Sequence, residues 1–200
     1  MTLLTIVKKM AKNVGVADPD QVVGSTNRSM VEALSLANTV GEELARRVDW
    51  GALQAATTLT GDGTNKTFTL PAYFSRLSPG VTVSGSGGIL RPLTRAEWNT
   101  LTAVQGTPRY FLLEGSEITV WPYLANAATL DVSYQTKAWC SNGTDAWSAD
   151  DNTSLVNEDV FVKGLIVAWR RQKGLDYADF EAEYEATLQN LANFDERARF

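Results

Sequence analysis

Hydrophobic residues recur with helical spacing at both ends of the chain and alternate with polar ones in between. Leu3, Ile6, Val7, Met10 and Val14 fall on one face of a first helix, which Gly15 and the Asp18-Pro19-Asp20 turn bring to a stop. A second helix follows. Ser25, Thr26 or Asn27 can cap it, and Met30, Leu34, Ala37, Gly41, Leu44 and Val48 repeat at steps of three and four up to Asp49-Trp50. Ala37 and Gly41 are small enough to admit a neighbouring helix closely.

From about residue 55 the pattern predicts strands. Residues 56–59 and 66–70 flank Gly61-Asp62-Gly63, which reads as a hairpin turn. Residues 81–83 and 89–90 flank a Gly-Ser-Gly-Gly run, residues 109–113 and 117–121 flank Glu114-Gly115, and residues 130–134 close the set. One or two helical turns are expected over 94–101. After a polar loop, helical spacing returns with Phe161, Leu165, Ala168 and Trp169, ending at Gly174. A final helix is predicted over 177–193, carrying Phe180, Tyr184, Leu188 and Leu191 on one face. The expected fold is therefore α+β. Helix pairs from the two termini form a four-helix layer, and an antiparallel β sandwich or barrel is inserted between them. The corresponding segments are an N-terminal helix pair at 1–54, a β-rich insertion at 55–137, and an acidic loop, helix pair and tail at 138–200 that packs with the first segment.

Composition removes most enzyme chemistry. The 200 residues contain no His and a single Cys, Cys140, so Ser-His-Asp triads, HExxH zinc sites, imidazole bases and disulfides are all excluded within the chain. One free thiol fits a reducing compartment, and the first residues lack the order of a signal peptide. The net charge of -5 argues against a protein whose task is to grip nucleic-acid phosphates. That charge is local: residues 138–200 hold twelve acidic and six basic side chains, while the rest of the chain is nearly balanced.

Paired carboxylates are the remaining catalytic candidates. Asp150-Asp151 and Glu158-Asp159 lie in or beside one loop, with Trp139 and Trp147 available as a sugar platform, as a glycosidase would need. The alternative is a solvated acidic loop leading into a helix N-terminus, which favours negative charge. The calcium-loop spacing is missing, Gly85-Ser86-Gly87-Gly88 fails the dinucleotide pattern, and neither glycine run is followed by a helix. No catalytic residue, cofactor or metal is assigned. The many aromatics of the β region also fit a glycan-binding module.

In order along the chain, several segments resemble one family. They are Val14-Gly15-Val16, Asp18-Pro19, Ser25-Thr26-Asn27, Glu43-Leu44-Ala45-Arg46-Arg47, Asp49-Trp50-Gly51-Ala52-Leu53, Phe68-Thr69-Leu70-Pro71, Gly106-Thr107-Pro108-Arg109-Tyr110-Phe111, Ile118-Thr119-Val120-Trp121-Pro122, and Lys163-Gly164-Leu165 through Trp169-Arg170-Arg171-Gln172-Lys173-Gly174-Leu175. The chain resembles bacteriophage head-to-tail connector proteins, the adaptor or head-completion subunits beneath the portal. The resemblance implies a structural virion protein at the head-tail junction, made in the host cytoplasm. It implies a homo-oligomeric ring, a dodecamer, that docks on the portal protein, supports a tail or nozzle protein and lets DNA pass without specific binding. On that footing Phe194, Arg197, Arg199 and Phe200 of the tail are candidate portal-binding residues. Asp179, Glu181, Glu183 and Glu185 form an acidic face expected to meet the lumen or solvent.

Overall fold

The computed structural model describes residues 1–78, 83–85, 87–102 and 104–197, with side chains up to residue 193. Its α+β class is the one expected from the sequence. The chain divides into two compact units, Met1–Leu53 with the residues from Lys137 on, and Gln54–Thr136.

The helical unit contains α1 (Leu3–Val14), α2 (Arg28–Arg47), α4 (Glu158–Gln172) and α5 (Ala178–Arg197). Each start has a local cause. The Thr2 hydroxyl accepts from the Thr5 N–H, the Asn27 side chain from the Ser29 N–H, and the Asn157 side chain from the Asp159 and Val160 N–H groups. Helix α4 packs against α1, α2 and α5, and this central position explains why Val160, Phe161, Leu165, Ile166 and Val167 are all buried. At its middle, a Cβ on Gly164 would stand 3.0 Å from both Val40 and Tyr184, so α2 and α5 approach α4 at a residue without a side chain. Trp139, Trp147 and Phe161 form an aromatic cluster in the same core, with ring centroids 5.0 to 5.7 Å apart. Helix α5 continues to Arg197 rather than ending near Asn193, since Phe194-Asp195-Glu196-Arg197 contains neither Gly nor Pro to stop it.

The second unit contains β1 (Gln54–Thr60), β2 (Thr67–Thr69), β3 (Phe74–Leu77), β4 (Val83–Gly85), β5 (Gly88–Ile89), β6 (Arg91–Pro92), the short α3 (Arg95–Trp98), β7 (Tyr110–Glu114), β8 (Glu117–Trp121) and β9 (Thr129–Thr136). One sheet runs β1-β9-β4-β5, with β3 also on β9, and the other runs β2-β8-β7-β6. Leu59, Val83, Leu130 and Val132 from the first sheet bury one apolar cluster with Phe111, Ile118 and Val120 from the second. The β7-β8 hairpin forms as predicted. Its turn needs the positive φ of Gly115, 59°. Helix α3 starts at Thr94 with a reciprocal Thr94-Glu97 capping box.

The predicted hairpin across Gly61-Asp62-Gly63 does not form. Strand β1 pairs with β9 over seven residues, and β2 pairs with β8 in the other sheet. The Asp62 carboxylate accepts from the Thr64 and Asn65 N–H groups, which shapes the connection as a loop between sheets instead of a two-strand turn. Strands β6 and β7 pair in parallel, a departure from a wholly antiparallel block.

Candidate functional site

Three of the four carboxylates that could have formed a glycosidase pair are committed to structural work. The fourth, Asp151, is exposed and has no ion-pair partner among the described residues. The Asp150 carboxylate accepts from the Val22 N–H (3.0 and 3.2 Å) and the Val23 N–H (2.8 Å), while its carbonyl accepts from the Leu4 N–H. Glu158 pairs with the Met1 amino group, and Asp159 pairs with Lys163 at 3.0 Å. Trp139 and Trp147 are 0% and 5% exposed, so neither ring offers a stacking surface to a sugar. The sugar platform suggested by their sequence position is therefore corrected. They belong to the helical core because the chain re-enters that unit at Lys137, just before them. Among the described residues no cluster of acidic or Cys side chains is arranged to hold a metal ion.

Asp150 thus holds the turn before α2 onto the loop that precedes α4. Replacing it with Ala will leave the Val22 and Val23 N–H groups to find water in a half-buried site, and is expected to lower stability by about 1 kcal/mol. Urea unfolding of the variant checks this; an unchanged midpoint would mean that the clamp contributes nothing.

The acidic face of α5 is exposed but largely neutralised from its own unit. Arg47, in the last turn of α2, donates to both carboxylate oxygens of Glu185 at 2.8 and 2.5 Å and also to Glu43 at 2.9 Å. This bidentate contact holds the Glu185 carboxyl below the usual Glu range and pushes the Arg47 guanidinium higher still. Glu183 accepts from Lys163 at 3.0 Å; hydrogen bonding to Asp159 and then to Glu183 raises the Lys163 ammonium. Glu181 pairs with Arg171. Among the described residues Asp179 alone of the four acids has no ion-pair partner. The cations come from the C-terminal turns of α2 and α4 and from the middle of α4, and their role was missed from sequence. The readable signal was an acidic run on one helix beside basic last turns on its neighbours.

The four tail candidates are not equally placed. Phe194 and Arg197 belong to the last turns of α5. Arg199 and Phe200 lie outside the described residues.

A comparison with curated proteins finds no match. A family model, the SU10 adaptor protein, matches residues 1–199. That match runs through both units, from the first turn of α1 to the end of α5, and agrees with a site inventory in which carboxylates pair with lysines, arginines and backbone N–H groups instead of converging on a substrate. The chain belongs to the SU10 adaptor protein family, bacteriophage head-to-tail adaptors that are structural proteins and not enzymes.

Proposed function

We propose that the protein is a subunit of a ring, a dodecamer, seated between the portal and the tail of a phage particle, where it extends the DNA channel and carries the next tail component. The observation that carries this reading is the family match over residues 1–199. Two properties of the chain support it. A ring subunit needs two different, mutually complementary faces, which suits a chain built from a helical unit and a β unit. A channel wall must also let phosphates slide, and the exposed acids of α5 avoid the counterion release that free lysines and arginines would bring. In this reading Asp179, Glu181, Glu183 and Glu185 face the lumen or solvent, already balanced by Arg171, Lys163 and Arg47 as far as the last three are concerned. Phe194, Arg197, Arg199 and Phe200 dock in the portal.

Mass measurement of the protein alone and mixed with portal assemblies tests the proposal. The expected result is addition of a fixed number of copies to the portal. A chain truncated after Asn193 should stay folded, since it keeps α1, α2, α4 and sixteen residues of α5, and should lose most of its portal affinity. Absence of a stoichiometric complex would overturn the function, and unchanged affinity of the truncated chain would remove the tail from it.

A further inference from the structure

Strand β1 is the edge of the five-stranded sheet, and its hydrogen-bond phase is fixed by one bond beyond its end. The Gly61 N–H donates to the Ala128 carbonyl at 2.8 Å, continuing the register in which Leu59 faces Leu130 and Thr57 faces Val132. In an antiparallel ladder bonded and non-bonded pairs alternate, so Ala55, Thr57 and Leu59 turn their N–H and C=O groups to β9. Gln54, Ala56, Thr58 and Thr60 turn theirs away. A second bond agrees with this phase: the Ser133 carbonyl, opposite Ala56, accepts from the Ser78 N–H on the far side of β9.

All four outward-turned residues are exposed. The Gln54 N–H closes the last i→i+3 turn of the short 3-10 helix Gly51–Leu53, while the backbone groups of Ala56, Thr58 and Thr60 have no partner among the described residues. Proteins normally protect such an edge with a charge, a proline, a bulge or a very short strand. Strand β1 has none of these. Its sequence Gln-Ala-Ala-Thr-Thr-Leu-Thr carries no charge and no proline, and its seven residues pair in unbroken register. The other strands with one neighbour are guarded. Strand β3, which pairs only with β9, has four residues, carries Arg76 and is interrupted by a register shift between Phe74 and Arg76. Strand β2 has three residues, with the Thr67 N–H already donated to the Asn65 side chain at 3.1 Å. Strand β5 has two residues, and β6 has two of which one is Pro92.

We infer that the outer edge of β1 is a docking site for an extended, uncharged segment of a different phage protein, which adds to the five-stranded sheet as a sixth strand. The occupant is not a second copy. Self-pairing of β1 relates two chains by a two-fold axis and closes at two, whereas neighbours in a ring meet head to tail through different surfaces. No other described strand end is long and open enough to serve as the partner edge. The inference rests on the ring reading above for the nature of the occupant, while the open edge itself rests on the β1-β9 register alone.

Amide hydrogen exchange, resolved by residue, tests it on the full-length protein and on head-tail complexes taken from virions. In the free protein the Ala56, Thr58 and Thr60 amides should exchange fast and those of Ala55, Thr57 and Leu59 slowly. In the complexes the first set should slow by about a hundredfold or more, as amides entering a stable ladder do. Two variants complement this. Thr60→Pro removes an outward donor without touching a β9 bond, and Ala56→Lys places a charge on the edge. Both should keep the wild-type unfolding midpoint and enter complexes about tenfold less well. Complexes that contain the chain with the Ala56 and Thr58 amides still fast overturn the docking site alone, as does wild-type incorporation of both variants. A free dimer with those amides protected makes the occupant a second copy and overturns the inference. Absence of the chain from the complexes removes the ring reading and this occupant together.

Discussion

Replacing Trp139 with Ala is expected to cost the helical unit about 3 to 5 kcal/mol, the range for deleting a large aromatic from a well-packed core. Trp139 is fully buried and meets Trp147 edge-on at 5.0 Å and Phe161 tilted at 5.7 Å. Its surroundings cannot close the hole easily. One wall is the backbone of α2 at Gly41, and the others are rings with few rotamers and fixed shape. For a domain whose whole stability is of order 5–15 kcal/mol, such a loss brings the unit close to unfolding at ordinary temperatures. Chemical denaturation followed by far-UV circular dichroism reads the effect. A loss below about 1 kcal/mol would mean that the ring does not fill the core as described.

The second large effect is expected from the smallest change, Gly41→Ala. Two terms oppose each other. Alanine in a helix interior is worth about 1 kcal/mol over glycine, so propensity alone predicts a gain. Packing predicts the reverse, because the new Cβ would stand 2.4 Å from two carbons of the Trp139 ring, a separation that real side chains do not adopt. The ring cannot slide away, being held by Trp147 and Phe161, so the cost lies near the upper end of the 1–3 kcal/mol seen for overpacked cores. The net expectation is a destabilisation of about 2 kcal/mol. Pairing it with Trp139→Phe, which shortens the ring system, should recover part of the loss. If Gly41→Ala proves stabilising, propensity has won and the close approach is softer than its geometry states.

Elements whose identity rests on local sequence were legible. Spacing of Leu3, Ile6, Val7 and Met10 placed α1, and the Glu114-Gly115 turn placed the β7-β8 hairpin, because period and turn chemistry are properties of neighbouring residues. Partners of strands were not. Nothing within residues 54–60 distinguishes β9, some seventy positions away, from β2 across the nearest glycine turn; the choice is made by which pairing buries Leu59 and extends to seven residues. Strand β3 also escaped notice, as its Phe-Ser-Arg-Leu has little alternation to mark it. Placement of Trp139 and Trp147 failed for a similar reason. Their indole rings follow the β block in sequence but belong to the helical core, and an aromatic's burial is decided by where the chain returns, which no window of residues states. The surface role of α5 was read from its acids alone, without the arginines and lysines that fold against them from residues up to 138 positions away.

The first residue of the β unit, Gln54, lies opposite Gln135, one position before its last. The polypeptide therefore departs from the helices and comes home through a single doorway one strand-spacing wide. Everything between can be exchanged for a different cassette, longer or shorter, by two cuts at that threshold, and the four long helices need not be rerouted. Such a construction lets one helical chassis carry different β units.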